Sequence, residues 1–166
     1  GRLSARKDGE YILLNFPSEA DKQVEVPEGL IECLGVQILY VGKNRMDYIV
    51  EVENDEVVRK LKPNFEMMKK IDTRGIIVTS LSSDARYDFV SRFFVPSIGI
   101  NEDPVTGSAH CCLAPFWEKR LNKKEFMAYQ VSKRGGELIV SLSENEDRVY
   151  IGGKAITVFC AEFKEG

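Results

Sequence analysis

The chain has 166 residues, 43% hydrophobic, 10% aromatic and 30% charged, the balance of one globular domain or of a domain with part of another. Twenty-three basic side chains against 26 acidic ones give a formal charge of -3, which excludes a strong phosphate-directed field and with it a nucleic-acid partner. No apolar run approaches the ~20 residues of a membrane helix, no signal peptide is visible, and the four cysteines form no CxxC pair, so no membrane, zinc site or disulfide framework is expected. Reduced thiols in a cytoplasmic protein are the expectation.

In chain order, Leu3 to Arg6 and Glu10 to Phe16 read as a hairpin turning at Lys7-Asp8-Gly9. Pro17 to Glu25 is polar and reads as a linker. Pro27, Leu30, Ile31 and Leu34, stopped by Gly35, predict a short helix with Pro27 in its first turn. Val36 to Val41 and Met46 to Val52 form a second hairpin through Gly42 to Arg45. Its alternation sets Met46, Tyr48, Val50 and Val52 on one face, with Asp47, Glu51 and Glu53 on the other. Asn54 can cap a helix carrying Val57, Val58 and Leu61 and ended by Pro63, and Asn64 opens a further helical turn.

Gly75 to Leu81 is a nearly continuous apolar run, as in a buried strand, and Tyr87 to Val95 is another. Ala109, Cys112, Leu113, Phe116, Trp117 and Leu121 recur at helical spacing over a broad arc, which predicts an enclosed helix. Pro115 predicts a kink within it. Lys119, Arg120, Lys123 and Lys124, flanked by Glu118 and Glu125, read as a solvated face. Strands then follow at Gln130 to Lys133, Leu138 to Leu142, Arg148 to Ile151 and Ala155 to Phe163. About nine strands in hairpin-like succession with one long helix predict an α+β fold, an antiparallel curved and barrel-like sheet wrapped around a central helix.

The segment Asn101 to Ala109 (NEDPVTGSA) carries the chemistry. It is an acidic loop feeding the start of the enclosed helix, where unpaired N–H groups and the helix dipole favour an anion such as a carboxylate. Thr106 or Ser108 can cap that helix, and Gly107 lets a ligand approach the backbone. Asp103 beside this positive end is placed to exchange a proton with a bound acid. The plainer alternative is an acidic helix cap with no ligand. His110, Cys111 and Cys112 occupy successive helix positions about 100° apart and cannot converge on one metal ion. Ser108 and His110 point to different faces, which argues against a hydrolase dyad.

Glu102 to His110 (EDPVTGSAH) resembles the signature of the phenazine-biosynthesis-like (PhzF) isomerase family. Arg92-Phe93-Phe94-Val95-Pro96 resembles its RxFxP strand. Gln130 to Leu138 (QVSKRGGEL) resembles its QxSxRGGxL segment, and Val149 to Ala155 its closing strand pair. The resemblance implies a fold similar to diaminopimelate epimerase and a cofactor-independent proton shift on a small carboxylic acid, with no metal. It implies Asp103 as catalytic or substrate-binding carboxylate and Ser108 as a ligand to the substrate carboxylate. Backbone groups at Thr106, Gly107 and Ser108 would complete the anion site, and Arg134 either holds the carboxylate or caps a turn. Asp103 stands where the cysteine-dependent epimerases of this fold carry a thiol, which argues against a two-thiol racemase.

The family's glutamate acid/base and its Gly-His-Ala-Thr-type motif have no counterpart here. Gly1-Arg2-Leu3 resembles the end of the family's SGxL hairpin. The expectation is therefore a C-terminal portion: residues 1–17 as the closing hairpin of a mostly missing N-terminal domain, and 18–166 as the C-terminal domain. The chain alone is expected to show little or no isomerase activity, because a positioned general base contributes ~10²–10⁴-fold. Surface normally packed on the absent domain predicts self-association, as a homodimer. The competing expectations are a non-catalytic interaction protein and a small-acid-binding module.

Overall fold

In the computed structural model, residues 3–155 and 158–162 are described. Strands Ser4–Asp8 (β1) and Tyr11–Pro17 (β2) form the first hairpin, with Gly9 at φ 58 in its turn. The segment read as a linker contains the short strand Lys22–Gln23 (β3), which pairs with the next hairpin. Helix Leu30–Leu34 (α1) begins three residues after Pro27 and ends on Gly35 at φ 65. Pro27 thus precedes the helix, its carbonyl accepting from Leu30 N–H at 3.2 Å.

Strands Ile38–Lys43 (β4) and Asp47–Val52 (β5) form the second hairpin. Helices Asp55–Lys60 (α2) and Phe65–Met68 (α3) follow, capped by Asn54 on Val57 N–H at 3.0 Å and Asn64 on Met67 N–H at 3.1 Å. Gly75–Leu81 (β6) and Phe89–Val95 (β7) match the two apolar runs. A 3-10 turn at Pro96–Ile98 leads into Ile100–Asp103 (β8), so the first part of the expected loop is a strand on β7. The long helix is Gly107–Leu121 (α4), and Glu125–Gln130 (β9), Gly136–Leu142 (β10) and Arg148–Lys154 (β11) complete the sheet.

Two late strands are corrected. β9 ends at Gln130, where a strand was expected to begin, because the chain then turns through Gly135 at φ 72. The expected strand Ala155 to Phe163 is not formed at residue 155 or at 158–162, while 156, 157 and 163 lie outside the described residues.

The strands join one curved sheet in the order β1-β2-β11-β10-β9-β7-β6-β5-β4-β3, with β8 branching from β7. It curls around α4 without closing. Most pairs are antiparallel, as the hairpin pattern predicts, but β5–β6 and β7–β9 are parallel. Both exceptions follow helical crossovers, since parallel neighbours need a connection long enough to return the chain. The sheet therefore separates two apolar cores. One surrounds α4 and includes Ile49, Phe89, Phe93, Leu138 and Ile151; the other lies under α1, α2 and α3 and includes Val50, Val58, Ile76 and Phe94. Burial on both faces explains why β6 lacks alternation: Gly75 through Ser80 are all buried.

The same arrangement corrects the second hairpin. Asp47 was expected on a polar face, yet it is 0% exposed, sharing the α4 side with Ile49. Pro115 also gains an explanation. It removes the N–H that would bond Cys111 O, and that carbonyl instead accepts from Glu19 N–H at 3.0 Å. The helix runs on to Leu121 with its freed acceptor satisfied from outside.

Candidate active site at the start of the central helix

The segments singled out in sequence converge at the start of α4. Arg92 on β7 pairs in fork geometry with Glu102 on β8, at 2.7 and 2.8 Å, and donates to Leu61 O at 2.7 Å. This ties the strand entering the acidic loop to β7. Gln130, fully buried at the end of β9, accepts from Thr106 N–H at 2.8 Å and donates to Asp103 O at 2.7 Å and Thr106 Oγ1 at 3.2 Å. Ser132 donates to Pro104 O at 2.7 Å and accepts from Gly135 N–H at 3.1 Å. Thus two polar residues of one segment hold the turn between Asp103 and Thr106.

The direction of this network is fixed by chemistry. With Oε1 of Gln130 facing an N–H donor, its amide nitrogen must supply the other two bonds. Thr106 Oγ1 therefore receives one proton from Gln130 and gives its own to Asp103 Oδ2. Asp103 Oδ1 has no hydrogen-bond donor among the described residues. Gln130→Leu is expected to cost about 1–3 kcal/mol by leaving the buried Thr106 N–H unsatisfied; a loss below about 0.5 kcal/mol in urea unfolding would contradict the network's role.

Thr106 occupies the N-cap position at φ -120, ψ 110, but its side chain makes no capping bond. Its hydroxyl is turned back to Asp103. Ser108 does not cap either: its Oγ accepts from Arg74 Nη2 at 3.1 Å. The expectation that one of them caps the helix is corrected, and the first-turn N–H groups have no side-chain acceptor among the described residues. A Cβ at Gly107 would meet Phe16 and Ile151 only at 3.8 and 4.0 Å, so the protein's own packing does not demand glycine there. The space beside it opens into a cavity of about 790 Å³, shared with Val105, Arg134 and Gly136.

The predicted residues thus fall into three linked groups. Asp103 and Thr106 are bonded to each other; Ser108 is bonded to Arg74; Gly107 and Arg134 border the cavity. Arg134 is exposed, and no hydrogen bond joins it to the others among the described residues. Sequence reasoning missed Asp47 and Arg74. Arg74 donates through Nε to Asp47 Oδ1 at 2.8 Å and through Nη2 to Oδ2, on a carboxylate with no exposure. The available signal was Ile49, which shares the face of Asp47 and is too apolar for solvent. Gln130 was recognised as part of a motif but not as its structural hub.

His110 is fully buried and donates from Nδ1 to Thr106 O at 2.7 Å, while Nε2 has no partner among the described residues. Burial holds its pKa down, from 6.5 to about 4, against the opposing pull of the Thr106 carbonyl. The unfolded chain therefore takes up this proton first. His110 contributes full stability above pH ~6.5, loses about 3 kcal/mol as pH falls toward 4, and changes little below. Comparing pH-dependent unfolding with His110→Gln checks this; identical slopes between pH 6.5 and 4 would contradict it. Burial also raises the Cys111 thiol to about 12 and Cys112 further, so neither supplies a thiolate nucleophile.

Among the described residues no helix is long and apolar enough to cross a membrane. The Phenazine biosynthesis-like protein family (PhzC-PhzF) matches residues 18–161. A protein of Halalkalibacterium halodurans named an uncharacterized isomerase is 56% identical over 163 residues, covering 98% of this chain and 61% of that protein. The human phenazine biosynthesis-like domain-containing protein is 34% identical over 175 residues, covering 95% of this chain and 60% of its own length. The crystal structure of a PhzF-family protein from Enterococcus faecalis matches with a TM-score of 0.85 and 40% identity, over 92% of this chain and 57% of that one. A putative PhzC/PhzF protein from Clostridium difficile gives 0.86 and 32%, over 99% and 62%. The chain spans about 60% of the relatives' length. Its fold is the diaminopimelate-epimerase-like fold of these neighbours. By the match over residues 18–161 and by its close relatives, the chain belongs to the phenazine biosynthesis-like family.

Proposed function

We propose that this chain supplies one side of a cofactor-independent isomerase site for a small carboxylic acid. Ser108 and the backbone N–H groups of Gly107 and Ser108 hold the substrate carboxylate, and Asp103 exchanges a proton with the substrate carbon skeleton through its open Oδ1. Arg134 faces the same ligand from the cavity side. A second acid/base comes from an N-terminal domain, whose closing hairpin is residues 1–17 and which packs on the C-terminal domain of residues 18–166. The same uncovered surface leads the chain to pair with a second copy when alone.

The observation that carries this reading is the uncapped start of α4. Thr106 at the N-cap and Ser108 in the first turn both direct their hydroxyls elsewhere, Thr106 to Asp103 and Ser108 to Arg74. A helix of 15 residues thus presents its positive end beside a carboxylate and an open cavity. The relatives' isomerase names and the family match support the reaction class.

Titration with sodium benzoate, followed by NMR at the amides of Gly107, Ser108 and Ala109, is expected to give saturable shifts. Ser108→Ala should weaken binding about tenfold, the loss of one hydrogen bond to a charged group. In a protein completed with the N-terminal portion of a relative, Asp103→Asn should lower turnover ~10²–10⁴-fold. Shifts absent from these amides, or turnover indifferent to Asp103→Asn, would overturn the reading.

A further inference from the structure

Resting on that reading of the α4 start, we propose that Arg74, clamped by the buried Asp47, is a positioning residue. It aims the Ser108 hydroxyl proton at the bound carboxylate and sets the charge that the site accepts.

Three observations carry the proposal. First, the clamp is rigid. Asp47 opens β5 and Gly75 opens β6, and these two residues are partners in a parallel pair, so Arg74 emerges directly beside the carboxylate. Its Nε and Nη2 take the two oxygens of Asp47, and the guanidinium lies 5.5 Å from the centre of the Phe93 ring. Such a fork leaves the plane of the group little freedom.

Second, the bond to Ser108 has one possible direction. Arginine only donates, so Ser108 Oγ accepts at 3.1 Å and its own O–H proton is left for another acceptor. Among the described residues that proton has none. Both hydrogens of Arg74 Nη1 are likewise without an acceptor among the described residues. A carboxylate at the first turn of α4 would meet a hydroxyl already turned to donate.

Third, the charges are balanced. Arg74 and Asp47 cancel, so the pair adds no net charge beside the helix end, whose dipole is equivalent to about half an elementary charge. That suits a single carboxylate. An unmasked guanidinium at the same place would favour a more highly charged anion such as phosphate.

The test is titration of the full chain with sodium benzoate and separately with inorganic phosphate, read by NMR at the amides of Gly107 and Ser108. Wild type is expected to saturate with benzoate and to bind phosphate more weakly. Asp47→Asn, which unmasks the guanidinium charge, is expected to raise phosphate affinity about tenfold relative to benzoate. Asp47→Asn combined with Arg74→Gln leaves a neutral pair and is expected to weaken benzoate about tenfold. Unchanged benzoate affinity in the folded double variant, or an unchanged phosphate-to-benzoate ratio in Asp47→Asn, overturns the proposal while wild-type binding keeps the site reading intact. If the double variant does not fold, the ratio in Asp47→Asn decides alone. Wild type without saturable shifts overturns the site reading itself, and this proposal with it.

Discussion

Arg74→Ala is expected to destabilise the protein by about 3–5 kcal/mol, because it strands a carboxylate that has no route to water. Asp47 is 0% exposed, whereas the Arg74 side chain is 31% exposed. The asymmetry gives the prediction a direction. Removing the carboxylate leaves an arginine that can swing toward solvent, so Asp47→Ala should cost less than Arg74→Ala. Replacing both partners by apolar residues of similar volume, Asp47→Leu with Arg74→Met, should recover most of the loss, since neither buried charge then remains. Urea unfolding of the two single variants and the double variant measures all three values. A loss below about 1 kcal/mol for Arg74→Ala, the range of an exposed pair, would show that Asp47 is not desolvated as the structure places it.

Trp117→Ala is expected to cost a further-reaching 3–5 kcal/mol, roughly the usual loss for deleting a fully buried large aromatic side chain. Trp117 lies 5.6 Å from Phe89 with their planes 12° apart, and meets Phe116 edge-on at 5.3 Å. Its Nε1 donates to Thr79 Oγ1 at 3.1 Å, which in turn donates to Val90 O at 2.7 Å. The indole thus joins α4 to β6 and β7 by packing and by hydrogen bond together. Trp117→Phe should cost less, because it keeps the stacking and leaves Thr79 bonded to Val90. Thermal or denaturant unfolding of both variants checks the order; equal losses would show that the ring contacts contribute little beyond the indole N–H.

How much of this was legible in the sequence depended on whether a feature is local. Asn54, Asn64 and Gly35 mark helix ends through bonds or backbone angles spanning a few residues, and each stands where its chemistry predicts. Asp103, Thr106, Gly107 and Ser108 lie within six residues, so their common place at the start of α4 could be read directly. The partners that give them direction are distant in the chain. Ser108 and Arg74 are 34 residues apart, Thr106 and Gln130 are 24, and Asp47 and Arg74 are 27. No periodicity relates such positions.

Asp47 shows the limit most clearly. Alternation along β5 correctly separates two faces, but it assigns water to the face bearing the charges. Only the curl of the sheet around α4 reveals that this face is interior, where Ile49 packs and where a carboxylate must find a cation. Pro115 shows the same limit, since its cost is judged within the helix while its compensation comes from Glu19 in a segment read as a linker.

The sequence by itself determined the enclosed helix, the main strands, the acidic loop that feeds the helix start, and the family resemblance carried by several ordered motifs. Those follow from side-chain periodicity, turn chemistry and short spacings, which act along the chain. The tertiary structure decided that both faces of the central strands are buried and that two helical crossovers make parallel pairs. It also decided that Gln130 and Arg74 orient the hydroxyls of Thr106 and Ser108. These depend on which distant surfaces exclude water from one another, a property of the folded sheet and not of any single segment.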